Sequence, residues 1–272
     1  MNRLVVGAIQ MQSSDDKKDN LLRAEAFIDA AVERGAKLIV LPELFNFCGI
    51  PQSYLPNAET IPGPTVEMLC AKARESHIHI LGGSLAERVN GTEKIFNTSV
   101  LIDPTGRILA KYRKIHLFDV EIGQQLVLKE SDIFEYGDKL VTAETEYGTV
   151  GLTICYDLRF PEVYRNLVVK GAKIILVPSS FMAATGKDHW EPLIRARAIE
   201  NQVFIIAPNE IGPIPGTEML RHGRSLIVDP WGTVLAQAAD IEGVITAELD
   251  FDYWLKVRQE LPSLACRRPQ AY

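Results

Sequence analysis

The sequence predicts an α/β protein built as a four-layer α-β-β-α sandwich with an internal pseudo-two-fold repeat. Three observations predict it. Short apolar, β-branched runs alternate with helix-period segments. Segments of the first half reappear, in the same order, in the second. Each half also reads as one sheet with a helical cover, and two such halves pack most simply sheet against sheet around a shared core.

The elements follow in order. Leu4-Val-Val-Gly-Ala-Ile-Gln10 is the opening strand, and a helix runs from Asp16 to Arg34, with Leu22, Ala26, Phe27 and Ala30 on one face and a stop at Gly35. The next strand, Gly35-Ala-Lys-Leu-Ile-Val-Leu-Pro-Glu-Leu-Phe45, is matched by Gly171-Ala-Lys-Ile-Ile-Leu-Val-Pro-Ser-Ser-Phe181, an offset of 171 − 35 = 136. Asp103-Pro-Thr-Gly-Arg-Ile-Leu-Ala110 is matched by Asp229-Pro-Trp-Gly-Thr-Val-Leu-Ala236, an offset of 229 − 103 = 126. Pro at the first central position and Gly at the last suit a type I turn closing a hairpin. More weakly, the opening strand resembles Thr149-Val-Gly-Leu-Thr-Ile-Cys155, 155 − 10 = 145 residues on. Asp188 followed by Glu191 makes a capping-box-like start for a helix through Arg195, Ala198 and Ile199. The Gly/Pro-rich stretches 49–64 and 207–224 read as surface loops, where specificity usually resides.

Bulk properties bound the function. The 272 residues, 47% hydrophobic and 24% charged, suit one large α/β domain over 1–272, with a tail from about 255 to 272 as a candidate arm between subunits. A net charge of -6 argues against a nucleic-acid surface, and no apolar run is long enough to span a membrane. The four cysteines are scattered, with neither CxxC pairs nor His-rich spacing, so neither a disulfide framework nor a metal site is expected. With no leader pattern before the opening strand, the reading is a cytoplasmic protein without a cofactor.

Three stretches carry candidate chemistry. Cys155 ends an apolar strand and precedes Tyr156-Asp-Leu-Arg-Phe-Pro161, a strand-to-helix turn where a helix N-terminus favours the thiolate. A lone strand cysteine is otherwise small apolar filler. Glu43 lies just past the buried strand ending at Pro42, at the place where the second half has Ser179. It is either a catalytic carboxylate or a hydrogen-bonding corner. The run Lys111-Tyr-Arg-Lys114 is a solvated edge, or an edge with one lysine inwards, because alternation puts Tyr112 and Lys114 on one side and Arg113 on the other.

Together, Leu41-Pro-Glu43, Tyr112-Arg-Lys-Ile-His116 and Gly151-Leu-Thr-Ile-Cys-Tyr-Asp-Leu-Arg-Phe160 resemble the three signature blocks of the nitrilase superfamily of carbon–nitrogen hydrolases. His116-Leu-Phe-Asp-Val-Glu121 and the tail from Leu261 to Tyr272 resemble its Nit branch, whose characterised members are amidases acting on deaminated glutathione or, as ω-amidases, on short keto-amides. The resemblance implies a Glu43–Lys114–Cys155 catalytic set, with a backbone N–H near Tyr156 in the oxyanion site and Glu121 as a second active-site glutamate, its alternative being an exposed loop acid. It implies a small-molecule amide substrate and a homodimer or larger even assembly. Arg159 is a candidate for a substrate carboxylate, with a structural ion pair as its alternative. Phe181 and Met182 line the pocket or fill the core, and Trp190 lies close to the pocket or packs the helix start.

The chain departs from the family pattern in two loops: Gly186 is followed by Lys187 where Pro is usual, and Ile122 is not followed by Pro. Competing readings are a nitrile hydrolase with the same triad, a Cys–His protease using His116, and a non-catalytic binding protein on this scaffold. The last predicts loss of a triad member, and all three are present.

Overall fold

In the computed structural model, which describes residues 2–89, 91, 94–122 and 126–271, side-chain parity sorts the strands into two sheets lying face to face. The first orders Gly243–Asp250, Arg3–Gln10, Leu38–Val40, His79–Leu81 and Ile95–Ile102. Ile95–Ile102 also pairs with Leu85–Glu87, Ile108–Arg113 and Phe134–Glu135. The second orders Val141–Thr145, Gly148–Leu152, Ile174–Leu176, Phe204–Ala207, Leu226–Val228 and Val234–Gln237.

On the inner faces, Leu4, Val6, Ala8, Leu38 and Val40 share one buried cluster with Val150, Leu152, Ile174 and Leu176. Residues of opposite parity, Ile39, Ile80, Val100 and Ile102, turn outwards and pack under helices Lys17–Glu33 and Pro64–Ser76. Helices Pro161–Val169 and Ala183–Asn201 cover the other sheet. The four-layer sandwich is therefore the observed architecture. Each fully buried aliphatic side chain contributes about 1.5–3 kcal/mol of transfer free energy.

The repeat holds in detail. In each half three strands run parallel, and a fourth returns antiparallel and leads into a hairpin. The hairpins carry the same bulge, between Leu101 and Ile102 in one and Ile227 and Val228 in the other. Both are closed by an aspartate: Asp103 accepts from Thr105 N–H at 2.8 Å and Asp229 from Trp231 N–H at 2.8 Å. Gly106 and Gly232 complete these turns at φ 81° and 87°, a region that disfavours side chains.

The opening strands align differently from the sequence match. Val6 pairs with Leu38 and Val150 with Ile174, so the offset is 150 − 6 = 144, one less than the sequence likeness of 145. That single step decides which residues face the helices. It superposes Gly7 on Gly151, two glycines under the helical layers; a Cβ on Gly7 would lie 3.3 Å from Ala31 Cβ, and one on Gly151 3.2 Å from Leu167 Cδ1.

Close approach also explains why only half of the expected face of the first helix holds: Phe27 and Ala30 pack half-buried against the core. Its most buried side is Asn20, Ala24, Ile28 and Ala31, with Ala31 small enough to let the helix settle on Gly7, while Leu22 and Ala26 are exposed. Asp16 does cap it, accepting from Asp19 N–H at 3.1 Å. The helix expected from Asp188 begins five residues earlier, at Ala183, without a side-chain cap. Its start is set by tertiary contact: Phe181 C=O accepts from His222 N–H at 2.7 Å, and Gly186 lies directly against the His222 ring.

Candidate active site

The carboxyl ends of the two halves' second strands meet. Glu43 N–H donates to Ser179 C=O at 3.4 Å, and Ser180 N–H donates to Glu43 Oε2 at 2.9 Å. The one position at which the repeat changes from Ser to Glu thus lies where corresponding strand ends face each other. Glu43 Oε1 accepts from Lys114 Nζ at 2.8 Å and from Asn97 Nδ2 at 2.9 Å.

Lys114 follows strand Ile108–Arg113 and is 2% exposed, beside a fully buried Tyr112. Its neighbours Lys111 and Arg113 turn the other way and pair with Glu87 at 2.7 and 2.8 Å. The run is therefore an edge clamped by a buried acid, with Lys114 pointing inwards. Burial pulls the Lys114 ammonium down, but the carboxylates of Glu130 and Glu43 outweigh it and hold the group charged well above the usual lysine range.

Cys155 leaves strand Gly148–Leu152 at φ 44°, a left-handed conformation costing of order 1–3 kcal/mol in a non-glycine residue. Its N–H donates to Pro178 C=O at 2.9 Å, and the short helix Cys155–Arg159 starts there. The turn presents the thiol to the Glu43 carboxylate on the pocket wall. The surroundings work against the thiolate that the turn was expected to favour. Burial, then the Glu43 charge, push the thiol well above its usual range, and Lys114 only partly offsets them.

Asp157 holds the turn against the lysine strand. Fully buried, it accepts from Tyr112 Oη at 2.6 Å, Ile154 N–H at 2.9 Å and His116 N–H at 3.1 Å, and lies 2.8 Å from His116 Nδ1. His116 also stacks on Phe160, centroids 3.6 Å apart. The histidine is thus a brace for Asp157, which removes the ground for a Cys–His pair.

The second glutamate differs from the expected one. Glu121 is exposed on the hairpin strand Asp119–Ile122 and is no partner of Lys114. Glu130 is that partner: its Oε2 accepts from Lys114 Nζ at 2.8 Å and from Phe118 N–H at 2.6 Å, and its Oε1 from Asn97 Nδ2 at 3.1 Å. Nothing local in Lys129-Glu-Ser-Asp132 signals this role. The hairpin of Asp119–Ile122 with Leu126–Lys129 brings the chain back to the lysine. Asn97, inside an all-buried strand, was equally unmarked.

These groups form the floor of a pocket of about 570 Å³, within the usual range for small-molecule sites. Tyr156, Arg159, Phe181 and Met182 line it. Arg159 lies over the rings of Phe181 and Tyr156 at 5.0 and 5.7 Å and meets His189 Nδ1 through Nη1 at 3.3 Å; no ion pair involves it among the described residues, so its other donors are left for a ligand. Trp190 does not reach the pocket. It is fully buried behind Phe181, its Nε1–H donating to Arg224 C=O at 2.7 Å. The stretches 49–64 and 207–224 both reach the pocket wall, through Tyr54 and Met219 among others. They are not purely surface: Glu210 and Arg221 form a buried ion pair at 2.8 Å, and Arg221 also donates to Cys48 Sγ. Lys187 lies within the helix Ala183–Asn201, and the position after Ile122 lies outside the described residues.

The model of the carbon-nitrogen hydrolase family matches residues 5–259. The chain belongs to that family. This carbon–nitrogen hydrolase is similar to the deaminated glutathione amidase of Synechocystis sp., with 42% identity over 98% of this chain and 99% of the relative. It is 37% identical to the human omega-amidase NIT2 over 100% of this chain and 98% of the relative. Saccharomyces cerevisiae Nit3, a member of branch 10 of the nitrilase superfamily, superposes with a TM-score of 0.89 at 33% identity, covering 100% of this chain and 97% of that one. Among the described residues of this hydrolase, no group of three or more His, Cys, Asp or Glu is placed to hold a metal ion, and no helix is long and apolar enough to cross a membrane.

Proposed function

We propose that the protein is a cysteine-dependent amidase whose substrate is deaminated glutathione, cleaved to 2-oxoglutarate and Cys-Gly. The observation that carries the reading is the convergence of Cys155, Glu43 and Lys114 on the floor of one pocket. Glu43 takes the thiol proton as the sulfur attacks the amide carbonyl. Lys114 and the N–H at Tyr156 hold the oxyanion. Collapse breaks the C–N bond, the amine leaves with the proton from Glu43, and a thioester remains. Glu43 then deprotonates a water, which attacks the thioester; the carboxylate product leaves and the thiol is restored. Glu130 keeps Lys114 charged and aimed, and Arg159 pairs with the α-keto-acid carboxylate.

The resting arrangement suits this cycle. With a neutral thiol, Lys114 faces two negative charges, those of Glu43 and Glu130, instead of three, and in this reading the proton moves only as the carbonyl is attacked. The similarity to a deaminated glutathione amidase supports this substrate over α-ketoglutaramate, the ω-amidase alternative. Cytoplasmic residence and a homodimer or higher even assembly, with residues from about 255 onwards as the arm, complete the proposal.

The test is direct. Purified protein is given α-ketoglutaryl-Cys-Gly and α-ketoglutaramate, and 2-oxoglutarate formation is followed. The reading expects a higher kcat/KM for the first, and preference for the second would transfer the protein to the ω-amidases. Failure to hydrolyse either would end the amidase assignment.

A further inference from the structure

Besides Lys114 and the buried Arg221, which are held by carboxylates, two further cations from different parts of the chain line the pocket. Arg159 comes from the helix that begins at the nucleophile and lies over Phe181. Lys129 ends the hairpin strand Leu126–Lys129, immediately before Glu130, whose carboxylate grips Lys114. The backbone of Lys129 is fixed by pairing with Asp119 across the hairpin, and Glu130 N–H donates to Phe118 C=O at 3.4 Å. Its side chain is exposed and has no ion-pair partner among the described residues. The nearby acids form no ion pair with it among the described residues. Asp119 is engaged by Ser131 N–H at 3.0 Å, Glu130 by Lys114, and Asp132, though it lines the same pocket, forms no ion pair with it.

An amide bound with its carbonyl between Cys155 and Lys114 has two arms. The acyl arm, with its keto-acid carboxylate, is taken by Arg159. The leaving-group arm must run towards another part of the rim, and a pocket of about 570 Å³ has room for one. We infer that Lys129 is a specificity residue that reads a second carboxylate, carried on the leaving group, so that the preferred substrates are α-keto-acid amides of carboxylate-ended amines. This rests on the amidase reading above. It deepens that reading by explaining how a substrate ending in glycine is told from one that releases ammonia: only the first offers Lys129 a partner. A solvent-facing lysine contributes modestly, because water and salt screen it.

The experiment compares α-ketoglutaryl-Cys-Gly with its C-terminal carboxamide, which differs only in the charge of the second arm. Wild-type protein is expected to favour the carboxylate by about 3- to 10-fold in kcat/KM at low ionic strength, shrinking with added salt. Lys129→Ala should bring the ratio to about one, and Lys129→Glu should invert it. Arg159→Gln should lower both substrates alike, because the acyl arm is common to them. Equal use of the two substrates by the wild type, or an unchanged preference in Lys129→Ala, would overturn the inference while leaving the amidase reading intact. Failure to hydrolyse either substrate or α-ketoglutaramate would remove that reading and the inference with it.

Discussion

At the scale of single residues, the site is one ammonium held between two carboxylates inside a low-dielectric floor. Lys114 lies between Glu43 and Glu130, so an ammonium that burial alone would discharge stays protonated. Cys155→Ala should reduce turnover by about 1000-fold or more with the unfolding midpoint little changed, since only the sulfur is lost. Lys114→Ala should cost about 100- to 1000-fold in kcat, the usual range for one oxyanion donor. Two glutamates provide a sharper comparison. Glu130→Ala removes one of the two carboxylates that aim Lys114 and should lower kcat by about 10- to 100-fold, as small misplacements do. Glu121→Ala should stay within about twofold, because the residue is exposed on a hairpin. Steady-state kinetics on the four variants checks the set, and a larger loss at Glu121 than at Glu130 would reverse the assignment.

Secondary elements are positioned by small residues and by one buried aspartate. Gly7 and Gly151 occupy corresponding places beneath the two helical layers, where a side chain would meet Ala31 or Leu167. Gly7→Val and Gly151→Val should each destabilise by about 1–3 kcal/mol through overpacking, measured by denaturant titration. Asp157 ties the nucleophile turn to the lysine strand, and Asp157→Ala leaves Tyr112 Oη and two buried backbone N–H groups without their acceptor. It should cost about 3 kcal/mol or more, and a loss under 1 kcal/mol would show that these donors find other partners. Strand periodicity and turn chemistry were legible in the sequence at this scale. The start of the first helix, at its Asp16 cap, was legible too, but half of its buried face and the start of the second-half helix were not. The buried side of Lys17–Glu33 is chosen by how closely it can approach Gly7, and the start of Ala183–Asn201 by the hairpin at His222. Neither contact is local.

For the molecule as a whole, the two halves share one core and one pocket. Glu210 of the second half accepts from Ser13 N–H at 2.9 Å and Ser13 Oγ at 2.7 Å in the first, while holding Arg221. Burial, only partly offset by Arg221 and Ser13, pushes its carboxyl up to about 7 from the ordinary 4.5. The unfolded chain therefore releases this proton near pH 4.5 and the folded chain near pH 7. Between those values the folded state binds more protons, so this group's contribution to stability declines as pH rises and levels off above 7. The change is on the order of 3 kcal/mol. In Glu210→Gln that decline should vanish from a plot of unfolding free energy against pH between 4.5 and 7, and an unchanged slope would assign it to other groups.

From its own order of residues the chain determined its layers, its duplicated plan and the three side chains that meet on the pocket floor. Each of these depends on periodicity, turn chemistry or a compact motif that a short window contains. Three-dimensional packing alone decided that Glu130 and not Glu121 reaches Lys114, that Asn97 joins them, that Trp190 is held behind Phe181, and that burial opposes the Cys155 thiolate. Those outcomes depend on where a hairpin returns and on which charges become neighbours once water is excluded. Both are properties of distances between residues far apart in the chain.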